Sequence, residues 1–277
     1  MERLNEYIDA RKPELIHYSL YSPFIRMQRN KIFEHSIRKL INEGVDSKSI
    51  RQFKHGADDE VIILYRYLEW DSNYFGAKTI SIQFILFDEQ GKSKLEDALN
   101  SFLTEMKSSG MEYCFTDIPS EDIHVLQALG GARFKLIETR MIYSLDLQKH
   151  DYPRFSVRKA ELSDTSNLKR VAREMRNPYD RFHADPIFSE KQGDEFLATY
   201  VEESIKGLAD IVIVPSGEGV KPDAFLTGKY LKQDWSEIGV NASKMILSAV
   251  SGDTCRGWYI KLISELAYHF RNEGADY

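Results

Sequence analysis

The sequence predicts a mixed α/β (α+β) fold arranged as two units. Runs rich in β-branched and aromatic residues alternate with amphipathic helical stretches along the whole chain. A polar, proline-bearing break at His150-Asp151-Tyr152-Pro153 divides that alternation into two series. A length of 277 residues also exceeds what one core usually organises. Residues 1–150 therefore read as a helical lead-in with a first unit, and 151–277 as a second.

In the first series, residues 1–56 read as helical, because Ile32, Phe33, Ile37, Leu40 and Ile41 recur at three and four before Asn42-Glu43-Gly44. EVIILYRYL (60–68) and TISIQFILF (79–87) are strands, separated by an aromatic-rich turn at 69–76. Residues 93–109 form a helix with Leu95, Ala98, Leu99, Phe102, Leu103 and Met106 on one stripe. A strand at 113–118, a short helix at 121–129 and one or two strands within 134–147 complete the unit.

The second series begins with FSVRKA (155–160), which alternates as a strand does. A helix capped by Ser163 or Asp164 follows and ends at Asn177-Pro178. After the charged and aromatic loop 181–186, Phe196, Leu197, Tyr200, Val201 and Ile205 mark a second helix. Strands are expected at 210–214, 224–230 and 245–250, and a last helix at 258–272. The stretch 244–274 is thus an apolar strand, a polar loop holding Gly257, and a helix. A loop that feeds a helix points several backbone N–H groups at one spot, where the helix end adds partial positive charge suited to a phosphate. Gly274-Ala275-Asp276-Tyr277 reads as a strand just begun, which leads to the expectation of a C-terminally truncated copy.

Composition narrows the function classes. A net charge of -6 without a basic block argues against a nucleic-acid stripe and favours small-molecule partners. The absence of a long apolar run and the acidic, polar beginning predict no membrane association and a cytoplasmic protein. Cys114 and Cys255 provide neither a disulfide framework nor metal spacing, and the seven histidines show no ligand pairing, so no metal is expected.

Residues 155–277 resemble the first two thirds of a GCN5-related N-acetyltransferase domain. That family's phosphate loop reads Gln or Arg, two residues, Gly, one residue, Gly or Ala. Thr254-Cys255-Arg256-Gly257-Trp258-Tyr259 matches it at the glycine and departs at both ends. LEWDSNYFG (68–76) and DRFHADP (180–186) are similar to two motifs of dTDP-fucosamine acetyltransferase-like proteins. Residues 93–147 look like the back half of another acetyltransferase domain, although internal identity is low. The fold implied is two acetyltransferase-like mixed-sheet units, the second lacking its last strands.

The resemblance implies an acetyl-CoA-dependent N-acetyltransferase acting on the amine of a nucleotide-activated amino sugar for surface polysaccharide, or on a similar small amine. The alternative is a degenerate fold serving as a non-catalytic CoA-binding or interaction module. Ser248, Ala249 and Val250, at a strand end that this family splays, would align the thioester, and residues 254–259 (Thr254, Cys255, Arg256, Gly257, Trp258, Tyr259) would hold the pyrophosphate. Tyr259 suits a pocket wall better than an acid. Arg181 and His183 could line a sugar-nucleotide pocket, with His183 or Asp185 handling the amine proton. Arg181 and Asp185 equally suit a local ion pair. Trp70, Tyr74 and Phe75 suit either ring stacking or an interface core. Glu69 and Asp71 are weaker proton-transfer candidates, and His269 reads as a residue without chemistry. An unfinished sheet edge would also suit a homodimer.

Overall fold

The computed structural model describes residues 2 to 277. It comprises two compact units, the first ending at Leu136 and the second running from Ile137 to Tyr277, each with its own four-stranded sheet.

The first unit opens with helices α1 (Glu2–Ala10), α2 (Lys12–Leu15), α3 (Ile25–Ile32) and α4 (Lys39–Asp46), the last two joined by a wider-wound turn at Phe33–Arg38. The helical expectation for residues 1–56 fails after Asp46. Arg51–His55 is an antiparallel edge strand, β1, whose single apolar residue Phe53 packs on the core. One apolar side chain in RQFKH gives no strand period to read; pairing with its neighbour decides its conformation.

Strand β2 (Val61–Tyr67) leads to helix α5 (Glu69–Phe75), where an aromatic-rich turn was expected. Gly76 ends α5 in the left-handed conformation at φ 70°, which a glycine adopts without penalty. Strand β3 (Thr79–Phe87), helix α6 (Leu95–Ser108) and strand β4 (Tyr113–Thr116) follow, and β4 lies parallel to the first half of β3. Helix α7 (Ile123–Gly131) closes the unit. Ile63, Tyr65, Ile80, Ile82 and Ile85 meet Leu99, Phe102 and Met106 of α6 and Val125 and Leu129 of α7 in one core. The strands expected within 134–147 do not form. The stretch up to Asp146 joins no ladder, and Leu136, Met141, Ile142 and Tyr143 stand exposed along it. Their apolar and aromatic composition is strand-like, but no neighbouring strand pairs with them.

The second unit contains β5 (Val157–Lys159), α8 (Thr165–Glu174), α9 (Arg181–Ala184), α10 (Glu190–Glu203), β6 (Ile211–Pro215), β7 (Ala224–Tyr230), α11 (Lys232–Ile238), β8 (Ser243–Val250) and α12 (Trp258–Asn272). The sheet runs β5-β6-β7-β8, antiparallel throughout. Alternate residues of β6 feed opposite faces, as a pleated strand requires. Ile211 and Ile213 pack with Leu262, Leu266 and Phe270 of α12, whereas Val212 and Val214 pack with Leu168 and Val171 of α8 and Val201 of α10. The sheet is therefore covered on both faces.

The same arrangement occurs in both units. In β2–β3 the pairs are Val61 with Phe87, Ile63 with Ile85 and Tyr67 with Ile80; in β7–β8 they are Ala224 with Val250, Leu226 with Ser248 and Tyr230 with Ser243. Each ladder has an irregularity near its middle. A short helix ending on a left-handed glycine joins the strands in each case, Gly76 in one and Gly239 in the other. Tyr67-Leu68, Asp71 and Gly76 fall where Tyr230-Leu231, Asp234 and Gly239 fall. After the long helix, the amides of Glu112 and Tyr113 donate to the Lys78 carbonyl, while those of Asp276 and Tyr277 donate to the Asn241 carbonyl. Tyr277 also accepts from the Ser243 amide at 2.8 Å.

Candidate functional site

In the second unit, an open cleft of about 330 Å³ lies where β8 ends. Ser248, Ala249 and Val250 line it from the strand, Tyr259 from the first turn of α12, and Glu174, Met175 and Arg176 from the end of α8. The seven residues after Val250 turn the chain into α12. Gly257 occupies the helix N-cap position at φ 82°, provides no side-chain cap, and has open space where a Cβ would stand. The first turn of this 15-residue helix carries no acidic residue. Its leading N–H groups thus keep the partial positive charge of a helix N-terminus without an internal counter-charge. Arg256 is exposed beside them.

The loop is fastened from beneath. Cys255 is fully buried in the core that joins the sheet to α12, and its thiol donates to the Lys221 carbonyl at 3.4 Å. Burial pushes that thiol up, opposite to what a nucleophile needs. The Thr254 hydroxyl donates to Asp223 Oδ2 at 2.8 Å. Asp223 is buried and also accepts from Asn167 at 2.9 Å and Arg170 at 3.2 Å, while its carbonyl accepts from the Ser251 amide. Burial opposes the Asp223 charge, but the Thr254 and Asn167 donors, with the positive charges of Arg170 and Lys221, hold its carboxyl below the usual range. Arg170 reaches from this carboxylate to Glu174 Oε2 at 2.5 Å. One polar network therefore joins the loop to the cleft wall.

The sequence-predicted residues separate into groups on this geometry. Ser248, Ala249, Val250 and Tyr259 share the cleft; Arg256 and Gly257 lie on the adjoining loop. The side chains of Thr254 and Cys255 serve the loop's own anchoring, and the Trp258 ring lies under the Lys261 ammonium at 4.8 Å. His183 is elsewhere: its side chain is 3% exposed, with Nδ1 at 2.9 Å from Asp180 and Nε2 at 3.1 Å from Asp194. Asp180 also caps α9 through the amides of Phe182 and His183. Both imidazole nitrogens thus lie within hydrogen-bond distance of a carboxylate. The Arg181 guanidinium lies over the Phe182 ring, and Asp185 accepts from the Ile187 amide at 3.1 Å.

Trp70, Tyr74 and Phe75 lie on α5 of the other unit. Trp70 is exposed and stacks on Tyr74 at 4.9 Å, while Phe75 is buried. Tyr74 meets Phe75 edge-on. His269 shares a hydrogen bond of 2.6 Å between its Nε2 and the Tyr230 hydroxyl.

No family model matches the chain, and no curated protein does. A solved structure is similar: the C-terminal DUF2156 domain of a protein described as a lysylphosphatidylglycerol synthetase from Agrobacterium fabrum, with 15% identity and a TM-score of 0.36 over 94% of this chain and 75% of that one. The expected function is corrected accordingly. The expectation it replaces is that of an amino-sugar N-acetyltransferase, since the similar structure is described as a domain of a lysylphosphatidylglycerol synthetase.

Sequence reading missed Glu174, Met175, Arg176 and Asp223. The first three end a helix whose apolar stripe is all that periodicity reports, and their neighbourhood with β8 is a tertiary fact. Asp223 had one local signal, an acidic residue directly before an apolar strand, in the place that Glu60 holds before β2. Among the described residues no group of histidine, cysteine or carboxylate side chains is arranged to hold a metal, and no helix is long and apolar enough to cross a membrane.

Proposed function

We propose that the C-terminal unit is an acyl-transferring enzyme whose donor is carried on a phosphate-bearing group, with acetyl-CoA as the first donor to test. The observation that supports this reading is the contiguity of three features: the α12 N-terminus with Gly257 and no side-chain cap, the cleft at the end of β8, and the lining of that cleft by Ser248, Ala249 and Val250. A diphosphate suits the loop, where backbone N–H groups and Arg256 supply positive charge and the missing Cβ at Gly257 allows close approach. The acyl end of such a carrier would extend into the cleft.

The transfer itself requires attack on the acyl carbonyl, formation of a tetrahedral intermediate and departure of the carrier with a proton. Backbone donors at the strand end suit the carbonyl oxygen. Glu174 contributes a half-exposed carboxylate to the cleft, with Oε2 held by Arg170. The acceptor is left open by this reading.

Hydrogen exchange of the full chain with and without acetyl-CoA tests the placement. Slowed exchange in residues 248–262 is expected. Unchanged exchange there at saturating donor would remove the proposal.

A further inference from the structure

The matched ladders of the two units allow the cleft to be compared place by place. Ile85, Leu86 and Phe87 of β3 occupy the positions that Ser248, Ala249 and Val250 occupy in β8. In both units the end of the strand lies beyond any partner on its far side. β4 pairs with β3 only from Thr79 to Ile82, so the backbone from Gln83 onward is left open on that edge.

In the first unit that opening is filled from within the chain. Arg11, directly after α1, donates through Nη1 to the Ile85 carbonyl, and its guanidinium lies 4.0 Å from the centre of the Phe87 ring. The same guanidinium meets Asp122 Oδ1 at 2.6 Å. The Tyr18 hydroxyl donates to Asp122 Oδ2 at 2.6 Å, and its ring packs on Phe84 at 5.4 Å. Arg11 is 4% exposed and Asp122 fully buried. These contacts fall on the counterparts of Ser248 and Val250, the residues that line the cleft in the second unit.

The loop shows the same substitution of an internal group for an external one. Asp88 stands where Ser251 stands, and its carboxylate accepts from the amides of Gln90 at 2.9 Å and Gly91 at 2.8 Å. The following helix, α6, carries Glu96 and Asp97 in its first turn, whereas α12 carries no acid there. A carboxylate is therefore already bonded to loop amides in the first unit, whereas in the second no side chain caps α12 and its first turn carries no acid.

We propose that the N-terminal unit is a self-occupied copy of the donor-binding unit. Its segment from Arg11 to Tyr18 acts as a built-in ligand of the β3 edge, Asp88 takes the place of the anion, and uptake of an external ligand is confined to the C-terminal unit. The opening at β3 then exists only when this segment leaves it. The inference rests on the C-terminal unit being the one that binds a donor, whatever that donor is.

Hydrogen exchange followed by mass spectrometry on the full chain tests it without any ligand. Exchanging the buried pair together, Arg11→Met with Asp122→Leu, removes the pin without leaving a bare charge. Peptides covering 4–18 and 83–92 should then exchange at least tenfold faster, and in concert, while 95–108 changes less than twofold. Tyr18→Phe, which keeps the ion pair, gives the same joint response at two- to threefold and serves if the double variant does not fold. Acceleration of 4–18 alone, or of neither segment, overturns the proposal. So does slowing of 83–97 when acetyl-CoA is added to the unmodified chain.

Discussion

The buried carboxylates and one histidine determine how this chain responds to substitution and pH. Arg11 and Asp122 neutralise each other where neither meets solvent. Arg11→Ala leaves Asp122 charged and uncompensated, so a loss of about 3 to 5 kcal/mol is expected in denaturant unfolding, against a smaller loss when both are replaced by apolar residues. Burial with the adjacent Asp122 charge also pushes the Tyr18 phenol well above its usual range, so it remains a donor throughout ordinary pH. Asp223→Ala strips the acceptor from Thr254, Asn167 and Arg170 together, and about 2 kcal/mol is expected by the same measurement. His269 behaves oppositely to a paired histidine. Burial, reinforced by Lys159 and Lys232 against the opposing Glu273, lowers its pKa below 6.5, while burial raises Tyr230 to about 12. The neutral ring, hydrogen-bonded to the tyrosine hydroxyl, is the form the fold favours. The unfolded chain therefore binds this proton more readily than the folded one, and stability falls as pH drops below about 6.5. Thermal unfolding at pH 7.5 and 5.5 should show this decline, and His269→Phe should flatten it.

At the level of elements, legibility followed how local the determining interaction is. The last helix was legible to the residue, Trp258–Asn272, since its stripe of Leu262, Leu266 and Phe270 reports a core contact that the helix itself displays. Strand β7 was equally legible. The helices at 69–75 and 232–238 were not: each is only two turns long, and the left-handed glycine that ends it has the same appearance as a turn glycine. The strand Arg51–His55 and the stretch at 134–146 fail in opposite ways, one pairing with little apolar content and the other carrying apolar and aromatic residues without joining a ladder. In the candidate site, Gly257 and the strand end were readable from strand, loop and helix in sequence. Glu174, Arg176 and Asp223 were not, because their relation to the loop is made by packing. Two glycines carry testable weight at this scale. Gly228 is where α12 crosses β7, and a Cβ there would stand 2.6 Å from Phe270 Cζ, so Gly228→Ala should cost about 1 to 3 kcal/mol. Gly257→Ala meets open space, and its cost, about 1 kcal/mol, arises from φ 82° alone.

Across the whole molecule, two units share a strand, short helix, strand, long helix sequence with matching registers, but they differ in what occupies the end of the second strand. In one unit the chain supplies Arg11 and Asp88; in the other a cleft remains, with an uncapped helix N-terminus beside it. The repeat was barely visible in sequence because only tyrosine, leucine, aspartate and glycine positions around the short helix coincide, while core positions tolerate any apolar side chain of suitable volume. One donor per chain is expected, bound through the loop at Gly257. Calorimetric titration of the full chain with acetyl-CoA, beside the Arg256→Glu variant, tests this most directly. One site per chain, weakened tenfold or more by the charge reversal, is the predicted result; no binding, two sites per chain, or indifference to Arg256→Glu would contradict it.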